Sequence, residues 1–267
     1  MKIGSWLTYF VVLCLTLTIF ACSPSSPTEN PTANAPAVDP TGTTAAPIIQ
    51  NPTGTASAPA DDGQTASDLK EAAALQILGS SFSAYPWRMH ESILVKATGQ
   101  TSTTLTEAQS STRGYTKSVQ TTGAEMVTVE SIRMDSILYL KITGSGVAEK
   151  YGIVDGQWVE VLPDSPLAQL ANAGAAAPAR IADSFAAEFA ALSGESGMDE
   201  LVFKFVGSDV ANDIPTDIYD AKGETFTYRW WIGADQLLYQ MTLDVSAATR
   251  MILFEYDPAI NIQSPIP

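Results

Sequence analysis

Residues 226–245 read FTYRWWIGADQLLYQMTLDV, and the class of fold follows from the alternation in this stretch. Phe226, Tyr228, Trp230 and Ile232 fall on one side of the first run, while Leu237, Tyr239, Met241, Leu243 and Val245 fall on one side of the second. Arg229, Gln240, Thr242 and Asp244 take the opposite side, because successive side chains of a strand point to opposite faces. Gly233, Ala234, Asp235 and Gln236 supply the turn between the runs. The stretch predicts a hairpin with one greasy face and one wet face, the mark of an antiparallel sheet covered on one side only.

The same period of two extends in both directions. Upstream, Leu201 to Val206 sets Leu201, Phe203 and Phe205 on one face, and a further strand surrounds Ile218 and Tyr219. Downstream lies Arg250 to Tyr256. In the first half of the chain, Tyr85 to Ala97, Ser102 to Ala108, Gly114 to Gln120, Met126 to Ile132 and Ile137 to Ile142 read as successive strands rich in Thr, Val and Ile. Gly156, Gln157 and Trp158 mark a turn feeding a short strand. Helical spacing is confined to three places. Ser67 to Gly79 has Ser67 or Asp68 as cap, Leu69, Ala72, Ala73, Gln76 and Ile77 in phase, and Gly79 as stop; Pro163 to Ala173 and Arg180 to Leu192 follow later, the last with Ile181, Phe185, Phe189 and Leu192 in one stripe. The expected fold is therefore α+β: a curved antiparallel half-barrel of about ten strands, with helices covering its concave face.

Composition removes several classes of function. The chain carries 14 Lys and Arg against 29 Asp and Glu, a net charge of −15. Such a surface repels phosphate backbones and anionic lipid head groups, so no nucleic acid and no polybasic membrane contact is expected. Of the two cysteines, Cys14 lies in the apolar leader and Cys22 just after it, which leaves no thiol in the folded part for a disulfide, a metal or a nucleophile. The one histidine, His90, lies inside a strand and faces solvent on this reading, and Gly194, Glu195, Ser196 and Gly197 fall short of a nucleophile elbow. Asp209, Asp213, Asp217 and Asp220 match no calcium loop, and Pro215 keeps them from lining one helix face; they read as a solvated connection. No enzyme, metal or cofactor is expected.

Three domains follow along the chain. Residues 1–21 combine Lys2, an apolar run from Ile3 to Phe20 and the small residue Ala21, the pattern of an export signal. Ser23 to about Ala66 holds eight prolines and no aromatic residue, so it is expected to stay disordered, spanning roughly 35 Å as a flexible coil. Residues 67–267 form the folded part, and 22–66 its lipidated cysteine and stalk. Ile19, Phe20, Ala21 and Cys22 resemble the lipobox of bacterial lipoproteins, with Phe20 a departure from the usual small or aliphatic residue. That resemblance implies a diacylglycerol on the Cys22 sulfur, cleavage before it, commonly a further acyl chain such as palmitate on the new N-terminus, and a site on the extracytoplasmic side of the cell membrane. An uncleaved signal anchor is the alternative, and either tethers the chain.

A second resemblance covers residues 67–267. Ser136 to Lys141 followed by Gly156, Gln157, Trp158 and Val159, the hairpin Tyr228 to Gly233 with Leu237, Leu238 and Tyr239, and the closing run Phe254 to Ile262 with Pro265 are together similar to the LolA/LolB-like superfamily, within it the LppX/LprG-type lipoproteins. The resemblance implies a non-enzymatic carrier of lipids or of lipoprotein acyl chains, working in the space outside the inner membrane. Its ligand would then meet Phe203, Phe205, Phe226, Tyr228, Trp230, Ile232, Tyr239 and Met241, residues that would otherwise simply fill a core. The second expectation, from the family's sigma-factor-regulating members, is an envelope sensor or scaffold with a closed core and a protein partner.

Overall fold

The computed structural model describes residues 67–266 apart from 123–124, 145, 163, 166, 169–177 and 196–199. The signal, the lipobox cysteine, the stalk and most of the helix expected over Pro163 to Ala173 lie outside the described residues.

Among the described residues twelve antiparallel strands make one open sheet in two meanders. The first is β2 (Trp87–Val95), β3 (Gln100–Ala108), β4 (Arg113–Thr122), β5 (Glu125–Met134), β6 (Ile137–Thr143) and the short β7 (Trp158–Glu160). The second is β8 (Val202–Ala211), β9 (Ile214–Lys222), β10 (Phe226–Gly233), β11 (Leu238–Val245) and β12 (Ala248–Glu255). Pairing of β12 with β2 joins the two meanders, and the two-residue β1 (Leu69–Lys70) closes onto β8 at the far edge. The order is β1-β8-β9-β10-β11-β12-β2-β3-β4-β5-β6-β7, an unclosed α+β half-barrel. Its curl is measurable: in the β8–β9 turn, Asn212 Nδ2 donates to Phe254 O of β12 at 2.9 Å, although β9 and β12 are three strand steps apart, about 14 Å in a flat sheet.

Among the described residues three helices with defined bounds accompany the sheet: α1 (Glu71–Ser83), α2 (Val147–Lys150) and α3 (Pro178–Glu195). The first begins four residues later than the sequence predicts and runs through Gly79 to Ser83. Leu69 and Lys70 are drawn into pairing with Phe203 and Val202, and Asp68 accepts from the Phe205 amide at 3.2 Å instead of capping the helix. The buried stripe is accordingly Ala74, Ile77, Leu78, Ser81 and Phe82, while Ala72 and Gln76 are exposed. In α3 the predicted stripe of Ile181, Phe185, Phe189 and Leu192 is buried. The short α2 falls in the long connection between β6 and β7 and is not foreshadowed by any periodicity.

The two faces of the sheet are covered differently. On one face α1 and α3 pack over β8–β12, with Phe82 against Trp87, Phe185 and Phe254. On the same face a second apolar cluster, built of Val129, Leu138, Leu140, Ile142, Ala148, Ile153, Val161 and Ala168, sits over β5 and β6. The opposite face is covered locally by the C-terminal tail, where Ile260 and Ile262 bury against Ile132 and Tyr139, and the Ile262 amide donates to Gln109 Oε1 at 3.0 Å. Among the described residues no helix is long and apolar enough to cross a membrane.

Candidate functional site

The aromatic row predicted from the hairpin is assembled by register. Trp230 lies opposite Met241 on β11 and Tyr219 on β9, and Tyr219 in turn lies opposite Phe205 on β8, so these side chains share the covered face. Phe226, Tyr228, Trp230, Ile232, Met241 and Phe203 are all buried there. Phe189 of α3 stands over the group, its ring 5.8 Å from Phe203, 5.5 Å from Tyr228 and 5.5 Å from Trp230, and Phe203 and Trp230 approach to 4.7 Å. With Trp230 at 0% exposure, these rings bind helix to sheet.

Two of the predicted positions depart from that row. A register shift between Phe205 and Gly207 leaves Phe205 half-buried at the margin, edge-on to Tyr219 at 5.8 Å. On β11 the register slips between Trp231 and Ile232, so Ile232 faces Leu238 while Trp231 faces Gln240. The bulge removes Tyr239 from the alternation and puts Leu238, not Leu237 or Tyr239, in the core. Tyr239 packs edge-on against Tyr256 at 5.5 Å and donates to Asp235 Oδ2 at 2.8 Å. Burial, that hydrogen bond and the Asp235 charge push its hydroxyl up to about 12.

A buried ion cluster lies beneath α3 beside the aromatic row. Arg250 of β12 donates through Nε to Glu91 Oε1 of β2 at 2.5 Å and through Nη1 to Glu188 Oε2 of α3 at 2.7 Å, with its guanidinium 4.7 Å over the Phe185 ring. Burial pushes the Glu188 carboxyl above the usual glutamate range, against the pull of Arg250. Burial likewise drives the Tyr228 hydroxyl well above its ordinary value, reinforced by the Glu188 charge. Arg250 and Glu91 were legible only as inward positions: Arg250 shares parity with Ile252 and Phe254, so the alternation that places those two in the core places the arginine there as well.

Between the two apolar clusters the covered face turns polar and its side chains turn short. One row across the strands runs Phe254, Met89, Thr106, Thr116, Ser131 and Leu140, and the next runs Ile252, Glu91, Thr104, Ser118, Val129 and Ile142. Thr106, Thr116, Ser118 and Ser131 are buried, and Thr104 Oγ1 lies 3.1 Å from Ser118 Oγ. Ser131, at 0% exposure, has a hydroxyl with no hydrogen-bond partner. Bulky apolar residues end each row, while short hydroxyl side chains occupy it over β3, β4 and the adjoining part of β5.

His90 sits on the exposed side, with Nε2 3.8 Å from Glu255 Oε1. The acidic series is not a uniformly solvated connection, because Asp220 is buried to 3% and accepts from Arg229 at 2.6 and 2.8 Å with Lys222 at 3.0 Å. The reason is its place on β9 directly opposite Arg229 of β10. Among the described residues no group of three or more His, Cys, Asp or Glu side chains is arranged to hold a metal ion.

No family model matches the sequence, and no curated protein matches it. Solved structures do. The chain is similar to LprF from Mycobacterium bovis at 15% identity and a TM-score of 0.42, over 75% of this chain and 99% of that one. It is similar to the lipoprotein LppX of Mycobacterium tuberculosis at 12% identity and a TM-score of 0.36, over 72% of this chain and 100% of that one. A Pseudomonas aeruginosa complex of MucA and MucB gives 12% identity and a TM-score of 0.34, over 68% of this chain and 56% of that one, so this chain spans little more than half of that length. The half-barrel itself follows from the strand order and register of this chain.

Proposed function

We infer that the protein is a lipid-anchored lipoprotein of the extracytoplasmic side whose half-barrel binds a lipid or a lipoprotein acyl chain and carries it without chemical change. The observation that supports this most is the division of the covered face. Two apolar clusters stand on either side of a strip of short side chains, so an acyl chain entering along the strip would meet apolar surface on both sides. Each methylene moved from water onto that surface contributes about 0.8 kcal/mol, so a chain of sixteen carbons has ample driving force even when only part of it is enclosed. Attachment to the membrane is assigned to Cys22 and reach to the stalk of residues 23–66. On this reading the aromatic row from Phe203 to Met241 forms one wall, with Phe205 and Tyr239 at its margins.

The test is native mass spectrometry of the protein purified from its membrane in mild detergent. Retained lipid at defined stoichiometry is the expected result. A protein that emerges lipid-free and takes up no fluorescent acyl probe favours the scaffold reading instead, in which a filled interior supports contact with another envelope protein.

A further inference from the structure

Two carboxylates share one guanidinium beneath α3. Glu91 of β2 accepts from Arg250 Nε at 2.5 Å and Glu188 of α3 accepts from Nη1 at 2.7 Å, with all three side chains largely out of water. When both carboxylates are ionised the cluster keeps one negative charge in excess, a costly state for a site closed off from solvent. The excess falls on Glu188, whose second oxygen, Oε1, is buried with no hydrogen-bond partner. The other groups around it bring no positive charge. On β10 it meets the Tyr228 hydroxyl, and β8 presents the Phe203 ring beside Phe189. In α1, which packs alongside through Phe82 and Phe185, the one charged side chain is Glu71, which accepts from the Leu201 amide at 3.1 Å. On α3 itself Asp183 is exposed.

We propose that the Glu188–Arg250–Glu91 cluster is a pH-dependent latch for α3: with both carboxylates charged the helix opens from the sheet more readily, and one proton taken up at Glu188 seats it. The apolar stripe of Ile181, Phe185, Phe189 and Leu192 holds the helix in either state, and the latch sets how often it lifts. Opening hydrates Glu188 and returns it to the ordinary glutamate range, whereas burial under the seated helix holds it above that range. The seated helix therefore binds the proton more tightly than the opened one. The latch is fully engaged below the ordinary glutamate range and is released as pH rises through the raised value. Lifting α3 uncovers Tyr228 and Trp230, so pH governs how often the aromatic row meets water, whatever the half-barrel carries.

The experiment is hydrogen exchange on the full-length protein between pH 5 and pH 8, corrected for the intrinsic exchange rate at each pH. Protection of the α3 amides from Ile181 to Glu195 should fall at least tenfold across that range, while the amides of β10 and β11 keep theirs. Glu188→Gln, which carries the protonated shape at every pH, should hold α3 at its acid-state protection throughout. Glu91→Gln, which leaves one carboxylate for one guanidinium, should flatten the profile as well and serves if the first variant does not fold. Protection of α3 that does not change with pH in the wild-type protein, or a pH dependence that survives in either folded variant, overturns the latch.

Discussion

At the residue scale the charges under and beside the sheet make opposite contributions. Asp220 is held below the usual aspartate range, first by the hydrogen bonds from Arg229 and then by Lys222 and the two cationic charges. A depressed carboxyl stabilises the fold above its unfolded value, near pH 3.9, and that contribution is lost as pH falls through the folded value. Asp220→Asn is expected to cost about 1–2 kcal/mol at pH 7, since both cations are partly open to solvent, and to cost less near pH 3. Urea denaturation of both proteins at the two pH values checks it, and an equal gap at both would discard the pairing. Glu188 behaves in the reverse sense, because its raised value means that acidification just above the ordinary glutamate range removes a buried charge. Arg250→Ala strands Glu91 and Glu188 together and opens space over Phe185, so a loss of about 3–5 kcal/mol is expected in thermal or chemical melts. A loss under 1 kcal/mol would show that the cluster is solvated. Trp230 is a poor probe of ligand binding by comparison, since an aspartate among Phe189, Phe203 and Tyr228 would unfold the layer before it reported on any ligand.

At the scale of elements, α1 shows how pairing elsewhere sets a helix boundary. Gly79 has the composition of a stop signal, yet Ser81 and Phe82 beyond it are the residues that tie the helix to the sheet. The Leu238 amide donates to Ser81 Oγ at 2.9 Å, and the Trp87 indole donates to Phe82 O at 3.0 Å. Contacts of that kind outweigh the unfavourable propensity of a single glycine. A Cβ at Gly79 meets nothing within 4 Å, so Gly79→Ala should raise stability by about 0.5–1 kcal/mol, read as a higher midpoint in denaturant. A drop would mean that the helix does not continue through this position. In β11 a one-residue bulge redirects Tyr239, and no local pattern in LLYQMTLDV announces it, because either register keeps a leucine inward.

At the scale of the whole molecule, the proposed anchor makes a separate prediction. Cys22→Ala should leave an unprocessed precursor or release the protein from membranes, and intact mass measurement distinguishes the outcomes; an unchanged lipidated mass would refute the assignment. Strand content, the hairpin at its centre and the stripe of α3 were all legible in the residues, because alternation and helical period are local consequences of which side chains must leave water. The bulges at Phe205 and Tyr239, the inward ion cluster of Arg250, the pairing of Asp220 with Arg229 and the hydroxyl strip were not. Each depends on which strand lies beside which, above all on β12 meeting β2 and bringing Glu91 under α3. A chain's own periodicity says which face a residue takes, but only the assembled sheet says what it faces, since partners more than a hundred residues apart are chosen by the burial of the whole surface and not by their neighbours in sequence.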